Sequence, residues 1–272
     1  MSDGNATAAE APLEGVRVVE FGQFIAGPAA AQALCDLGAD VVKVEPVEGD
    51  AARRLAWSRD DVGPLFAPYN RGKRSVVLDL AGAGRADALA LATQADVVIS
   101  NARPGAMERA GLSTPALRAA NPRLIVATVT GYGPQTPLAD LPGFDIAAQA
   151  QSGMMSLNGD PDRPPARVGF LVVDVMTAHA VTTAVLAALV RRGTQGVGAA
   201  ITVSLLDVAV EAMAYTWSQY ALEGTLPVRR GSGQPSPAAP PPAPSWPRTT
   251  FRPESTGPAP VSGWLLAPTS FT

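Results

Sequence analysis

The sequence predicts an α/β fold in which a parallel sheet is covered by helices on both faces. Three observations predict it. β-Branched runs recur along the chain, Ala- and Leu-rich segments of helical length separate them, and the runs are nearly continuous in apolar residues, as strands buried on both faces are.

Val16 to Phe21 (VRVVEF) and Val41 to Glu45 (VVKVE) are strand-like, and the Ala/Leu-rich segment Ala29 to Leu37 between them is helical. Gly38 stands where a C′ glycine ends a helix and turns the chain into the next strand. The unit then recurs. Ser75 to Leu80 is strand-like, Arg85 to Ala95 helical, Asp96 to Ser100 a strand, Pro115 to Ala120 helical and Leu124 to Thr130 a strand. Gly143 to Ser152 is expected to be helical, and the run GFLVVD ending at Asp174 is expected to be a strand leading into a long helix over Val175 to Arg192. Its two closing arginines suit the negative end of a helix dipole. Ala200 to Ser204 is a further strand, and Leu205 to Glu223 one further helix. From Gln234 to Thr272 the sequence carries 11 of the chain's 26 prolines, which prevents regular structure of any length, so 234–272 is expected to be a disordered tail and 1–12 a disordered leader.

A chain of 272 residues is long enough to bury an ample core. Its net charge of −3 creates no positive field to gather nucleic acid or anionic lipid, so any anionic ligand must be held by local cations. One cysteine, Cys35, excludes an intrachain disulfide framework or a cysteine metal cluster, and a reducing cytoplasm is expected. No apolar run of spanning length is read, so no membrane association is expected.

Four features could carry chemistry. Gly22 to Pro28 (GQFIAGP) joins a strand end to a helix start, where small residues let a ligand approach free N–H groups; a plain helix-starting turn explains it equally well. Arg71 to Arg74 (RGKR) packs three cations into four residues, as a phosphate site or a solvated loop does. His179, the single histidine, lies among helix-forming residues and supports neither a histidine dyad nor a metal site. Asp174, at the start of the long helix, is either its N-cap or a desolvated carboxylate nucleophile.

In LEGVRVVEFGQFIAGP (Leu13 to Pro28), DLGADVVKVEPVEGD (Asp36 to Asp50), NRGKRSVVLDL (Asn70 to Leu80), ADVVISNARPGAMERAGL (Ala95 to Leu112), NPRLIVATVTGYGP (Asn121 to Pro134), LPGFDIAAQAQSGMMSLNG (Leu141 to Gly159) and the stretch around VVDVMTAH, the sequence resembles the family III CoA transferases, also called the CaiB/BaiF family. The resemblance implies a Rossmann-like large domain over 13–233, with acyl-CoA and a small carboxylic acid as substrates and no permanently bound cofactor or metal. It also implies an interlocked homodimer. Asp174 matches the catalytic aspartate. Ile25 and Ala26 match CoA-lining residues, Leu78 the adenine end, and Asn101, Ala102 and Arg109 the next CoA-binding segment. Lys43, Arg71, Lys73 and Arg74 are the candidate phosphate contacts. In the family's racemase branch a GHD motif supplies a proton-transferring histidine; here the motif reads GFD, with Phe144 in that place, which favours transfer over racemisation. The resemblance further implies a smaller second domain; the family pattern is not expected to continue beyond Ser236, and the expectation is a reading frame that shifts near Gln234. A truncated CoA-binding or dimerising protein without turnover is therefore the third reading.

Overall fold

The computed structural model describes residues 11–55 and 57–231. The expected tail 234–272 and most of the expected leader lie outside them. Six strands, β1 (Arg17–Phe21), β2 (Asp40–Glu45), β3 (Arg74–Val77), β4 (Val97–Ser100), β5 (Ile125–Thr130) and β6 (Ala200–Ser204), form one wholly parallel sheet in the order β3-β2-β1-β4-β5-β6. This is the doubly wound Rossmann-like order, which reverses direction between β1 and β4.

Both faces are covered, which accounts for the continuous apolar strands. On one face Val18, Val41, Val97, Ile99, Ile125 and Ile201 pack under α1 (Ala26–Asp36), α8 (Val172–Gln195) and α9 (Leu205–Ala212). On the other, Val19, Phe21, Val44, Val98 and Val126 meet Ala88 and Ala92 of α3 (Arg85–Gln94) and Leu117 of α5 (Thr114–Ala120). Short helices α2 (Ala67–Asn70), α4 (Ala106–Arg109), α6 (Asp145–Gln151) and α7 (Met154–Leu157) fill the connections, and α10 (Ala214–Glu223) closes the described chain. Gly38, at φ +100°, ends α1 as expected.

Three local expectations differ from the structure. The run GFLVVD is not a strand: helix α8 starts at Val172, inside it, because a short apolar run does not distinguish strand from buried helix. The expected helix over Leu205 to Glu223 breaks at Met213, giving α9 and α10. Finally, α8 is long and apolar enough, by length and composition, to cross a bilayer. Here Val173, Thr177, Ala178, Val181, Thr182, Ala184, Val185 and Ala188 form a helical stripe buried within the protein, as a core helix requires.

Candidate active site

The carboxyl ends of β1, β4 and β5 open into a cleft of about 740 Å³ at the point where the strand order reverses. Its walls are the β1–α1 turn (Phe24 to Ala26), the segment after β4 (Ser100 to Gly105), the end of β5, the segment Ala139 to Ile146, and Arg167, Leu171 and Asp174. Of the expected site residues, Asp174, Ile25, Ala26, Asn101 and Ala102 share this cleft.

The β1–α1 turn is held tightly. Asn101 Oδ1 accepts from Gln23 N at 2.9 Å while its amide donates to Gln23 O at 2.8 Å, so the side chain substitutes for a strand partner. Gly27 leaves room for it, since a Cβ there would lie 3.1 Å from Asn101 Cγ. Phe24, at the cleft wall, adopts φ +63°, a left-handed conformation costly for a bulky residue. Its N–H donates to Asp50 Oδ1 at 3.3 Å.

The cations are distributed differently from expectation. Lys43 is 1% exposed and uses all three donors inside the protein, on Glu20 Oε1 (2.8 Å), Gly22 O (2.7 Å) and Asp50 Oδ2 (2.9 Å). Lys73 does the same with Glu20 Oε2 (2.6 Å), Pro28 O (2.8 Å) and Asn70 Oδ1 (3.1 Å). Glu20 thus bridges two buried ammonium groups, and neither lysine reaches the cleft or has a donor left for phosphate. They hold Gly22 and Pro28, the two ends of the ligand-facing turn. Arg71 pairs with Asp36 and Arg74 with Asp40 on the surface, away from the cleft wall. Leu78 is half-buried against the α3 side of the sheet. Arg109 lies outside the wall, its guanidinium over Gly105, where an added Cβ would meet Nη1 at 2.6 Å. Among the described residues the guanidinium groups that line the cleft are Arg103 and Arg167, and neither forms an ion pair with a described residue. Arg103 directly follows the Asn101–Ala102 pair, so its place beside them in the chain is what marks it in the sequence.

Asp174 sits in the first turn of α8 and is not its N-cap; Leu171 occupies that position and supplies no side-chain acceptor. The cap comes from another element. Asp145, the aspartate of the GFD motif and 3% exposed, accepts from Val173 N at 2.7 Å and Asp174 N at 3.1 Å through Oδ2. Its Oδ1 accepts from Gln149 Nε2 at 2.6 Å, and Gln149 Oε1 accepts from Val168 N at 2.9 Å. Val172 N and Val175 N bond to Phe170 O and Leu171 O. The first-turn N–H groups of α8 are therefore committed, and donors for an oxyanion must come from another wall. Asp174 is half-buried, and burial, with the Asp145 charge adding to it, raises its carboxyl from 3.8 to about 7.

The β5 and α6 segments meet at Gly131 and Gly143. A Cβ on Gly143 would lie 2.1 Å from Gly131 Cα, so this approach, two residues before Asp145, admits no side chain. Phe144 lines the cleft and is 56% exposed, with no ionisable group to carry a proton. His179 is exposed and absent from the wall. Among the described residues no group of His, Cys, Asp and Glu could hold a metal ion.

The profile of CoA-transferase family III matches residues 13–243. The succinate–glutarate CoA-transferase of Agrobacterium fabrum is 40% identical over 235 residues, 83% of this chain and 58% of that protein. The crystal structure of a CaiB/BaiF family protein from Brucella suis superposes with a TM-score of 0.76 at 36% identity, covering 84% of this chain and 62% of that one. A crystal structure of Rv3272 from M. tuberculosis gives a TM-score of 0.72 at 41% identity over 77% of this chain and 59% of that one. The chain thus spans about three fifths of the length of the relatives it matches. Sequence, strand order and cleft agree, and the chain belongs to CoA-transferase family III.

Proposed function

We propose that Asp174 exchanges CoA between an acyl-CoA and a carboxylic acid by covalent catalysis. The observation that carries this reading is a half-buried carboxylate, raised to about 7, on the wall of a cleft lined by no histidine, lysine or cysteine among the described residues. Such a group is substantially ionised at neutral pH, yet more basic and less solvated than an ordinary aspartate, which makes it a better nucleophile.

Asp174 attacks the thioester carbonyl, and CoA leaves as the thiolate, producing a mixed anhydride. The thiolate then attacks the aspartyl carbonyl of that anhydride, releasing the first acid and leaving an aspartyl-CoA thioester. An incoming carboxylate attacks this thioester, forming a second anhydride and expelling the thiolate. Attack of the thiolate on the new acyl carbonyl yields the product thioester and returns Asp174. Each intermediate is an activated acyl group, so the thioester free energy is conserved. Arg103 and Arg167 supply the positive charge for CoA phosphates and the acceptor carboxylate.

The test incubates the protein with an acyl-CoA and a panel of acids that includes succinate and glutarate, named for the A. fabrum relative. Intact-mass analysis should find CoA attached to the wild-type chain and none on Asp174→Ala. CoA exchange that survives in Asp174→Ala overturns the reading, as does α-proton exchange without CoA exchange. A second reading, CoA binding in an assembly without turnover, is favoured by the large apolar side chains that α10 leaves exposed, Tyr215 and Leu222 on one side and Trp217 and Tyr220 on the opposite one. A homodimer that covers these side chains is part of that reading, and sedimentation reads it independently of activity.

A further inference from the structure

We propose that Asp145 is a positioning residue for the reaction at Asp174: its carboxylate clamps the first turn of α8 and takes up the N–H groups that would otherwise solvate the reacting carboxylate. The proposal rests on the reading of Asp174 as the nucleophile, but the clamp itself can be measured without turnover.

Free N–H groups at a helix start stabilise a nearby carboxylate and make it less basic. In α8 the Val173 and Asp174 N–H groups instead point into Asp145 Oδ2, at 2.7 and 3.1 Å. The helix end that should solvate the nucleophile is neutralised by a second anion, and Asp174 meets that anion's repulsion as well as burial.

Other charged groups around α8 do not supply this. Asp36 and the uncharged thiol of Cys35 come from α1, Asp207 and Glu211 from α9, and Glu108, Asp140, Arg103 and Arg167 from the cleft wall. Beside burial, Asp145 is the charge that acts on Asp174.

The polarity of the clamp is fixed from behind. Gln149 must direct its oxygen to Val168 N, which leaves only its Nε2 for Asp145. Position 145 therefore has three donors around it and needs a side chain that accepts on both ends. Asparagine fails this requirement: its amide faces Gln149 Nε2, and flipping Gln149 sets Nε2 against Val168 N. Exchanging the pair, Asp145→Asn with Gln149→Glu, restores the polarity while moving the charge one side chain further from Asp174.

The experiment uses the full chain labelled with 13C at aspartate carboxyls, with the Asp174 signal assigned by its loss in Asp174→Asn. Wild type should titrate near 7, and Asp145→Asn should move the midpoint down by about one pH unit. Amide exchange at Val173 and Asp174 should quicken by about tenfold or more in Asp145→Ala and return toward wild type in the exchanged pair. In turnover, kcat should fall in Asp145→Ala with KM for acyl-CoA retained, and recover in part in the exchanged pair. Unchanged amide exchange in Asp145→Ala, or an unmoved Asp174 midpoint in a folded Asp145→Asn, overturns the clamp. Turnover retained by Asp174→Asn overturns the nucleophile instead, leaving the exchange and titration results standing.

Discussion

Replacing Asp174 by asparagine should stabilise the protein, and by an amount that depends on pH in one direction. In the unfolded chain the carboxyl ionises near its ordinary 3.8; in the folded protein it does so near 7. Below 3.8 both states hold the proton and Asp174 contributes nothing to the pH dependence. Between the two values the unfolded state has released its proton and the folded state has not, so folded stability falls as pH rises. Above 7 the loss is complete and constant. At 1.36 kcal/mol per pH unit the gap corresponds to about 4 kcal/mol, and because Asp174 is half-buried, solvent screening reduces this to about 2 kcal/mol. Asparagine has no such loss. Urea unfolding of wild type and Asp174→Asn at pH 4, 5.5 and 7.5 should give curves that nearly coincide at pH 4 and separate progressively, with the variant more stable at pH 7.5. Parallel curves across this range, or a variant less stable at pH 7.5, would refute the assignment of Asp174 as a carboxylate held ionised against its environment. The comparison requires no substrate, so it reads the stability cost of the Asp174 charge separately from any turnover.

Glu45 should behave in the opposite sense: burial works to raise it, but the Arg53 guanidinium, the Ser75 hydroxyl and the Asp50 N–H hold it down to about 2 from an ordinary 4.5. Its contribution is thus present above pH 4.5 and lost as pH falls toward 2, and Arg53→Ala should cost about 3 kcal/mol at pH 7 in urea unfolding, because it strands a buried charge. Lys73→Ala should cost about 1 to 3 kcal/mol, because it leaves the buried Glu20 Oε2 without its partner while Lys43 still holds Oε1, whereas Arg71→Ala, two residues away, should stay within about 0.5 kcal/mol; equal effects would mean that Lys73 is not a buried partner. Gly143→Ala should lose about 1 to 3 kcal/mol of stability by forcing apart the β5 and α6 segments, and should reduce acyl transfer further at temperatures where it remains folded, since Asp145 moves with the backbone. Stability and transfer equal to wild type would contradict the close approach.

The sheet was legible because VRVVEF, VVKVE and LIVATVT need partners on both faces, and burial leaves a compositional trace that solvent-facing structure does not. Helix α8 was legible over most of its length, yet its first turn was mistaken for a strand end, since GFLVVD is too short for its period to be read. That error hid the cap. Placed at that boundary, Asp174 has the pattern of its own helix cap, whereas the true cap, Asp145, lies 29 residues earlier and nothing local in the GFD motif ties it to α8. Lys43 and Lys73 were misassigned for a different reason. A lysine in sequence carries a charge but no depth, and only the fold shows that Glu20 and Asp50 face them across neighbouring strands and turns. Arg103 and Arg167 are not distinguished in the sequence, because whether an arginine finds an ion-pair partner is decided by the fold.

The contact between Gly131 and Gly143 also divides the cleft by its capacity to change. Neither glycine can be exchanged for any other residue with compensation at its partner, because each already touches the other's backbone, so that part of the wall has no route of gradual variation. Phe144, Ile146 and Phe170 project outward nearby and are each about half exposed or more, so substitutions there meet little resistance. A lineage with this architecture can vary the rim of the cleft one residue at a time, while the backbone that carries Asp145 is inherited unaltered.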